Sequence, residues 1–252
     1  MRVNQQPAFI LHRYDYRETS LLLEVFSRNY GRVALVAKGA RRRQKHQFAN
    51  LALFQPMLLD WSSRSDMGTL CGADQDAELI WLDGQALLCG FYANELLMRL
   101  LQRQDPHEDL YDSYQSTIIA LQSNTNHEST LRMFEKKLLQ EIGYGLILEH
   151  NITDNSPIQP DTMYHYILDK GPSLRGASSD QMHAPVVIAG SSLLAFHQNR
   201  LDNDTVMRDA KRLTRAALSL HLEGRPLACR RLFQSPTALT TPAEHGTTEP
   251  VL

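Results

Sequence analysis

Five short apolar runs, each closed by a turn signal, fill the first 80 residues, and after Asp83 the apolar residues take up helical spacing. That switch constrains the fold more than any other feature of the chain. The runs are AFILHRY, SLLLEVFS, GRVALVAKG, LALFQPMLLDW and TLCGA. Only Arg28, Asn29 and Tyr30 separate the second run from Gly31, which predicts a tight hairpin, whereas the third and fourth are joined by the longer loop Ala40 to Asn50. Five short strands in succession fit a small closed barrel of OB type, because an open sheet of this size would leave its edges unpaired. An SH3-like barrel is the competing assignment.

Beyond Asp83, the positions Leu87, Leu88, Phe91, Tyr92, Glu95, Leu96, Met98 and Leu100 predict a helix that is apolar on more than one face and therefore central. A second helix is expected from about Pro106 to Leu121, with Asp105 as N-cap. A third carries Leu131, Phe134, Leu138, Leu139 and Ile142 and stops at Gly143 or Gly145. Leu193 to Phe196 and Thr205 to Leu220 are again helical in pattern, Asp202-Asn203-Asp204 supplies a cap for the latter, and a short last helix is expected near Cys229 to Phe233. The reading is thus α+β. An N-terminal five-stranded OB-type β-barrel over residues 1–80 precedes a mostly α-helical domain over 81–235. An irregular insertion with a small hairpin at TMYHYIL is expected at about 151–185, and a disordered Thr- and Pro-rich tail over 236–252.

The formal net charge of -2 hides a strong segregation of charge. Val25 to Leu59 holds the basic residues Arg28, Arg32, Lys38, Arg41, Arg42, Arg43 and Lys45 and no acidic one, and residues 208–231 are also basic, while 81–165 are acidic. Phosphate affinity follows local cation density, so a polyanion partner is expected. Cys71, Cys89 and Cys229 are widely spaced, which predicts neither a disulfide framework nor a zinc site. No apolar stretch is long enough for a membrane span or a signal peptide, and a cytoplasmic protein is expected. Nucleotide-binding, zinc-protease and serine-hydrolase motifs are lacking and the acids do not cluster, so no enzymatic activity, catalytic residue or cofactor is expected.

Taken in order, ETSLLLEVFSRNYGRVALVAKGARRR, NELLMRLL, LRMFEKKLLQEIGYG and DAKRLTRAALSLHLEGRPLACRRLF resemble the bacterial RecO family of DNA repair proteins. The resemblance implies an OB-fold joined to a helical domain, binding of single- and double-stranded DNA and annealing of complementary strands. It also implies partnership with RecR, contact with the acidic, Phe-ended tail of single-strand binding protein, help to RecA in replacing that protein, and a nucleoid-associated location. Many members carry a zinc-binding cysteine cluster after the Gly-Tyr of the third helix. Here that region reads HNITDNSPIQPDTMYHY, without cysteine, and no metal is expected.

Four groups of candidate residues follow. The basic run Lys38, Arg41, Arg42, Arg43 and Lys45, with Arg28 and Arg32, leaves a strand for a long loop where flexible cations can track a phosphate backbone; a solvated basic loop is the bland alternative. Tyr14, Tyr16, Tyr30 and Phe48 are candidates for base stacking. Arg208, Lys211, Arg212 and Arg215 share one side of a helix, and Arg230 and Arg231 extend that patch, either toward DNA or as a solvent face paired with acids. Arg132, Lys136 and Lys137 lie beside an apolar stripe in the segment where the resemblance puts binding of the partner peptide, Arg132 meeting its terminal carboxylate. An RNA-binding OB protein or a protein adaptor would show much of the same pattern.

Overall fold

In a computed structural model of the chain, residues 1–41, 51–63, 66–123, 126–174, 186–222 and 225–229 are described. Strands β1 (Arg2–Tyr16), β2 (Ser20–Ser27), β3 (Gly31–Ala37), β4 (Pro56–Ser63) and β5 (Met67–Gln75) close into a barrel in the order β1-β2-β3-β5-β4. All neighbours are antiparallel except β3 and β5, which pair in parallel from Ala34/Met67 to Val36/Thr69. This is the closed five-stranded barrel of an α+β chain, and the expected β2–β3 hairpin turns at Arg28–Tyr30.

The apolar runs do not alternate because the barrel wall is covered on both sides. Ala8, Ile10, Leu23, Val25, Leu35 and Ala37 fill the barrel interior, whereas Phe9, Leu11 and Phe26 point out into the helical core. There Phe9 meets Tyr114 edge-on at 5.1 Å and Phe26 lies 5.6 Å from Tyr111. Two-sided burial at about 1.5–3 kcal/mol per large side chain makes this seam a major source of cohesion between barrel and helices.

Helices α1 (Gly84–Leu100), α2 (Glu108–Gln122) and α3 (His127–Glu141) build the second layer. In α1, the buried Asn94 donates to the Leu11 carbonyl at 2.8 Å and accepts from the Tyr114 hydroxyl at 2.5 Å, tying β1, α1 and α2 together. The third helix ends at Gly143, not Gly145: Gly143 adopts φ +88°, its N–H donates to Gln140, and the Tyr144 N–H donates to Leu139, the paired bonds of a Schellman stop.

Three expectations need correction. The fourth strand begins at Pro56 rather than Leu51, because Leu51 plugs the barrel and Phe54, at φ +65°, packs against Phe91 in the helical core. Helix α2 begins at Glu108 without a side-chain cap, and Asp105 does not cap it. Instead the Asp105 backbone lies so close over Gly31, at φ +63°, that a β-carbon there would sit 2.0 Å from its carbonyl oxygen. Finally, the stretch read as an irregular insertion with a small hairpin does hold that hairpin, β6 (Met163–Ile167) with β7 (Gly171–Ser173), but β8 (Val186–Ala189), just beyond it, pairs with β6 to complete a three-stranded sheet in the order β7-β6-β8. With α4 (Gly190–His197) and α5 (Asp204–His221) it encloses a separate core around Tyr164, Tyr166, Ile188, Phe196 and Leu213. Asn203 caps α5 through Thr205 N–H, as the sequence indicates.

Candidate nucleic-acid interface

The register of the barrel assembles the candidate site. Since Leu23, Leu35 and Ala37 enter the barrel, the alternate residues Ser20, Val36 and Lys38 face outward. Tyr16 pairs with Ser20, while Thr69, Val36, Leu22 and Tyr14 form the next outward row, so two adjacent rows cross the barrel wall here. Residues of these rows and their neighbours line an open cleft of about 810 Å³, with Ser20, Val36, Met67 and Thr69 on the strands and Tyr16, Arg17, Glu18, Thr19 and Lys38 around them, so two cations and one carboxylate border it. The β1–β2 turn forms one wall, and the Arg17 guanidinium lies 5.2 Å over the Tyr16 ring. Lys38 is exposed and makes no ion pair with another described residue.

The other basic residues divide into three groups. Arg41 is exposed beside this cleft, pairs with Asp15 at 3.3 Å and fastens its backbone N–H to Thr19 O. Arg42, Arg43, Lys45 and Phe48 lie outside the described residues, as do Arg230 and Arg231. Arg28 and Arg32, in contrast, are engaged within the protein. Arg28 donates two bonds of 3.0 Å to Asp112 and one of 2.7 Å to Glu108, both on α2, and these bonds hold the Asp112 carboxyl below its ordinary pKa. Arg32 is largely buried, which lowers its pKa, and it shares the buried Glu24 carboxylate with Arg103. Gln104 N–H donates to Arg32 O, so the α1–α2 connection docks along β3 like an added strand.

On α5 the basic stripe is largely matched by local partners. Lys211 pairs with Glu128 of α3, Arg212 with Asp209 at 3.2 Å and with the Val187 carbonyl, and Arg208 donates to Asp204 O and Thr205 Oγ1. Arg215 is exposed and has no ion pair with a described residue.

Of the three residues of α3, Arg132 and Lys136 turn inward and Lys137 stays at the surface. Arg132 is 3% exposed; it donates to the fully buried Glu135 at 2.6 Å and to Thr214 Oγ1 at 3.2 Å, while the Tyr92 hydroxyl donates to the same carboxylate at 2.5 Å. Burial and this carboxylate hold the Tyr92 phenol well above its ordinary pKa. Lys136 donates to the Phe196 and His197 carbonyls and to Asn199, anchoring α4, and its burial lowers its pKa. Lys137 bridges Asp109 and Glu141.

Sequence reasoning missed Arg17, Thr19 and Ser20, which the β1–β2–β3 pairing brings beside Lys38, and Met67 and Thr69, which join it only once β5 closes on β3. The detectable signal was Thr19-Ser20 next to Arg17 at a turn. No cluster of metal-ligating side chains occurs among the described residues, and no helix there is long and apolar enough to cross a membrane.

A barrel backed by helices defines a two-part chain, and two recombination-protein family models match its parts in that order: Recombination protein O N terminal over residues 1–75 and Recombination protein O C terminal over residues 82–231. The chain is 43% identical over 234 residues to the DNA repair protein RecO of Nitrosococcus oceani, covering 93% of this chain and 94% of that one. It is 41% identical over 233 residues to the namesake of Nitrosospira multiformis (92% and 96% covered), and 42% over 232 residues to that of Coxiella burnetii (92% and 98%). The chain belongs to the RecO family of DNA repair proteins.

Proposed function

We propose that this repair protein binds single- and double-stranded DNA through the barrel cleft and the basic loop that leaves it, and anneals complementary strands there. The carrying observation is that Lys38 and Arg17 stand at the rim of one cleft, at the point where the chain enters the run Arg41 to Lys45. Two strands repel each other; a shared cationic rim lets them approach, and base pairing supplies the driving free energy, so no chemical step is needed. Arg28 and Arg32, engaged by Asp112, Glu108 and Glu24, contribute less to this surface than Lys38 and Arg41. Arg215 forms a secondary DNA contact on the helical side, to which Lys211 and Arg212 add charge while held by Glu128 and Asp209; Arg230 and Arg231, outside the described residues, join this assignment on their sequence alone.

Family membership further supports work with RecR, binding of the tail of single-strand binding protein and help to RecA in replacing it, in the nucleoid. For the tail site at Arg132, Lys136 and Lys137, the inward geometry of Arg132 means that a peptide carboxylate would have to compete with Glu135 for it.

The test is annealing of two labelled complementary oligonucleotides, bare and coated with single-strand binding protein, by the wild type and by a variant carrying R17E, K38E, R41E, R42E and R43E. Acceleration by the wild type that is lost in the variant supports the reading. Equal rates with and without wild-type protein refute it.

A further inference from the structure

Resting on the DNA-binding reading, we infer that the cleft holds one unstacked base of a single strand against Tyr16, with the flanking phosphates on Lys38 and Arg17. Its volume of about 810 Å³ lies within the range of about 300–1,000 Å³ of pockets that enclose small organic ligands, enough for a nucleotide unit. The floor is not phosphate chemistry. Val36 and the 41%-exposed Met67 offer an apolar, polarisable surface suited to a flat ring, and the hydroxyls of Ser20 and Thr69 are able to donate to or accept from a base edge. Hydroxyls of either polarity do not select one base, which fits a protein that takes any sequence.

Among the described aromatics on the barrel, Tyr16 has the best surroundings. The Tyr30 ring is committed edge-on to Trp61 at 5.4 Å, away from the cleft. Tyr14 packs on His12 at 4.3 Å, does not line the cleft, and the charges it feels, Glu24 with Arg32 and Arg103, are already paired with one another. The face of Tyr16 already receives a planar cation, Arg17, and the ring that attracts a guanidinium also stacks a base. One captured base per barrel anchors the strand and leaves its neighbours free to pair, which reconciles stacking with annealing.

The experiment measures fluorescence anisotropy of the full chain with a labelled oligothymidine and with an abasic strand of equal length, for wild type, Y16A and Y16F. The expected result is about a tenfold loss of affinity for oligothymidine in Y16A, none in Y16F, and no difference among the three proteins on the abasic strand. Unchanged oligothymidine affinity in Y16A overturns the base site while leaving DNA binding intact; so does an equal loss on both strands, which would make Tyr16 a support of the turn. Failure of the wild type to bind either strand would overturn the DNA reading itself, and this inference with it.

Discussion

Replacing Arg132 with methionine isolates the buried charge inside the helical core. The substitution keeps most of the side-chain volume but strands the Glu135 carboxylate, 0% exposed, with the Tyr92 hydroxyl as its remaining donor. Removing one partner of a buried ion pair costs about 3–5 kcal/mol, because the surviving charge has neither water nor a counter-charge. Against a total stability of about 5–15 kcal/mol, that is a large fraction, and at about 2–4 °C per kcal/mol for a domain of this size it lowers Tm by roughly 10 °C. Urea denaturation followed by circular dichroism, with a parallel thermal melt, reads the effect. A compensated variant, Arg132→Met with Glu135→Leu and Tyr92→Phe, deletes both charges and the phenol that would be orphaned, and should recover most of the loss. Arg132→Met within about 1 kcal/mol of wild type, or a compensated variant as unstable as the single one, would refute the reasoning. The pair of variants also separates a stability defect from lost peptide binding: a defect in affinity for an acidic Phe-ended peptide that persists in the compensated protein belongs to Arg132 itself.

Gly31→Ala forces a β-carbon into the Asp105 carbonyl at a backbone angle that costs an L-residue about 1–2 kcal/mol, so the barrel–helix junction should loosen, seen as faster hydrogen exchange at Gln104 N–H. Burial raises the Glu95 carboxyl, but the Cys229 and Ala228 amides and Arg99 outweigh it and leave the pKa below its ordinary 4.5. The stabilisation is therefore complete above that ordinary value and is lost as pH falls through the lowered one; the protection factors of the Ala228 and Cys229 amides, corrected for intrinsic exchange, should fall on acidification, and Glu95→Gln should remove that fall. Cys71 is exposed, whereas Cys89 is buried with its thiol pushed up to about 11, so a thiol reagent near neutral pH should modify Cys71 rapidly and Cys89 only on unfolding; equal rates would contradict the packing.

Much of the fold was legible because its signals are local. Turn residues marked the β2–β3 hairpin, helical spacing marked α1 to α3, and Gly143 marked the stop of α3. What escaped depends on distant partners. Nothing near Arg28 or Arg32 reveals that Asp112 and Glu108, some eighty residues away, will claim one, or that Arg103 will share Glu24 with the other. The strand β8 of the sheet β7-β6-β8 was hidden for the same reason, since Met163 finds its partner at Ala189 across a Ser- and Gly-rich stretch. Of the site, Lys38 and Tyr16 were visible as types in a basic segment, but Met67 and Thr69 reach the cleft only through the parallel β3–β5 pairing, which no spacing announces.

The clasp of Arg28 by Glu108 and Asp112 means that a cation of the barrel has its charge matched by carboxylates of the chain's own α2. A barrel severed from its helices would leave that charge unmatched. On the DNA-binding reading proposed above, it should cling more tightly to a cation exchanger and to nucleic acids of every kind, because the Arg28 charge would have lost its two resident carboxylates.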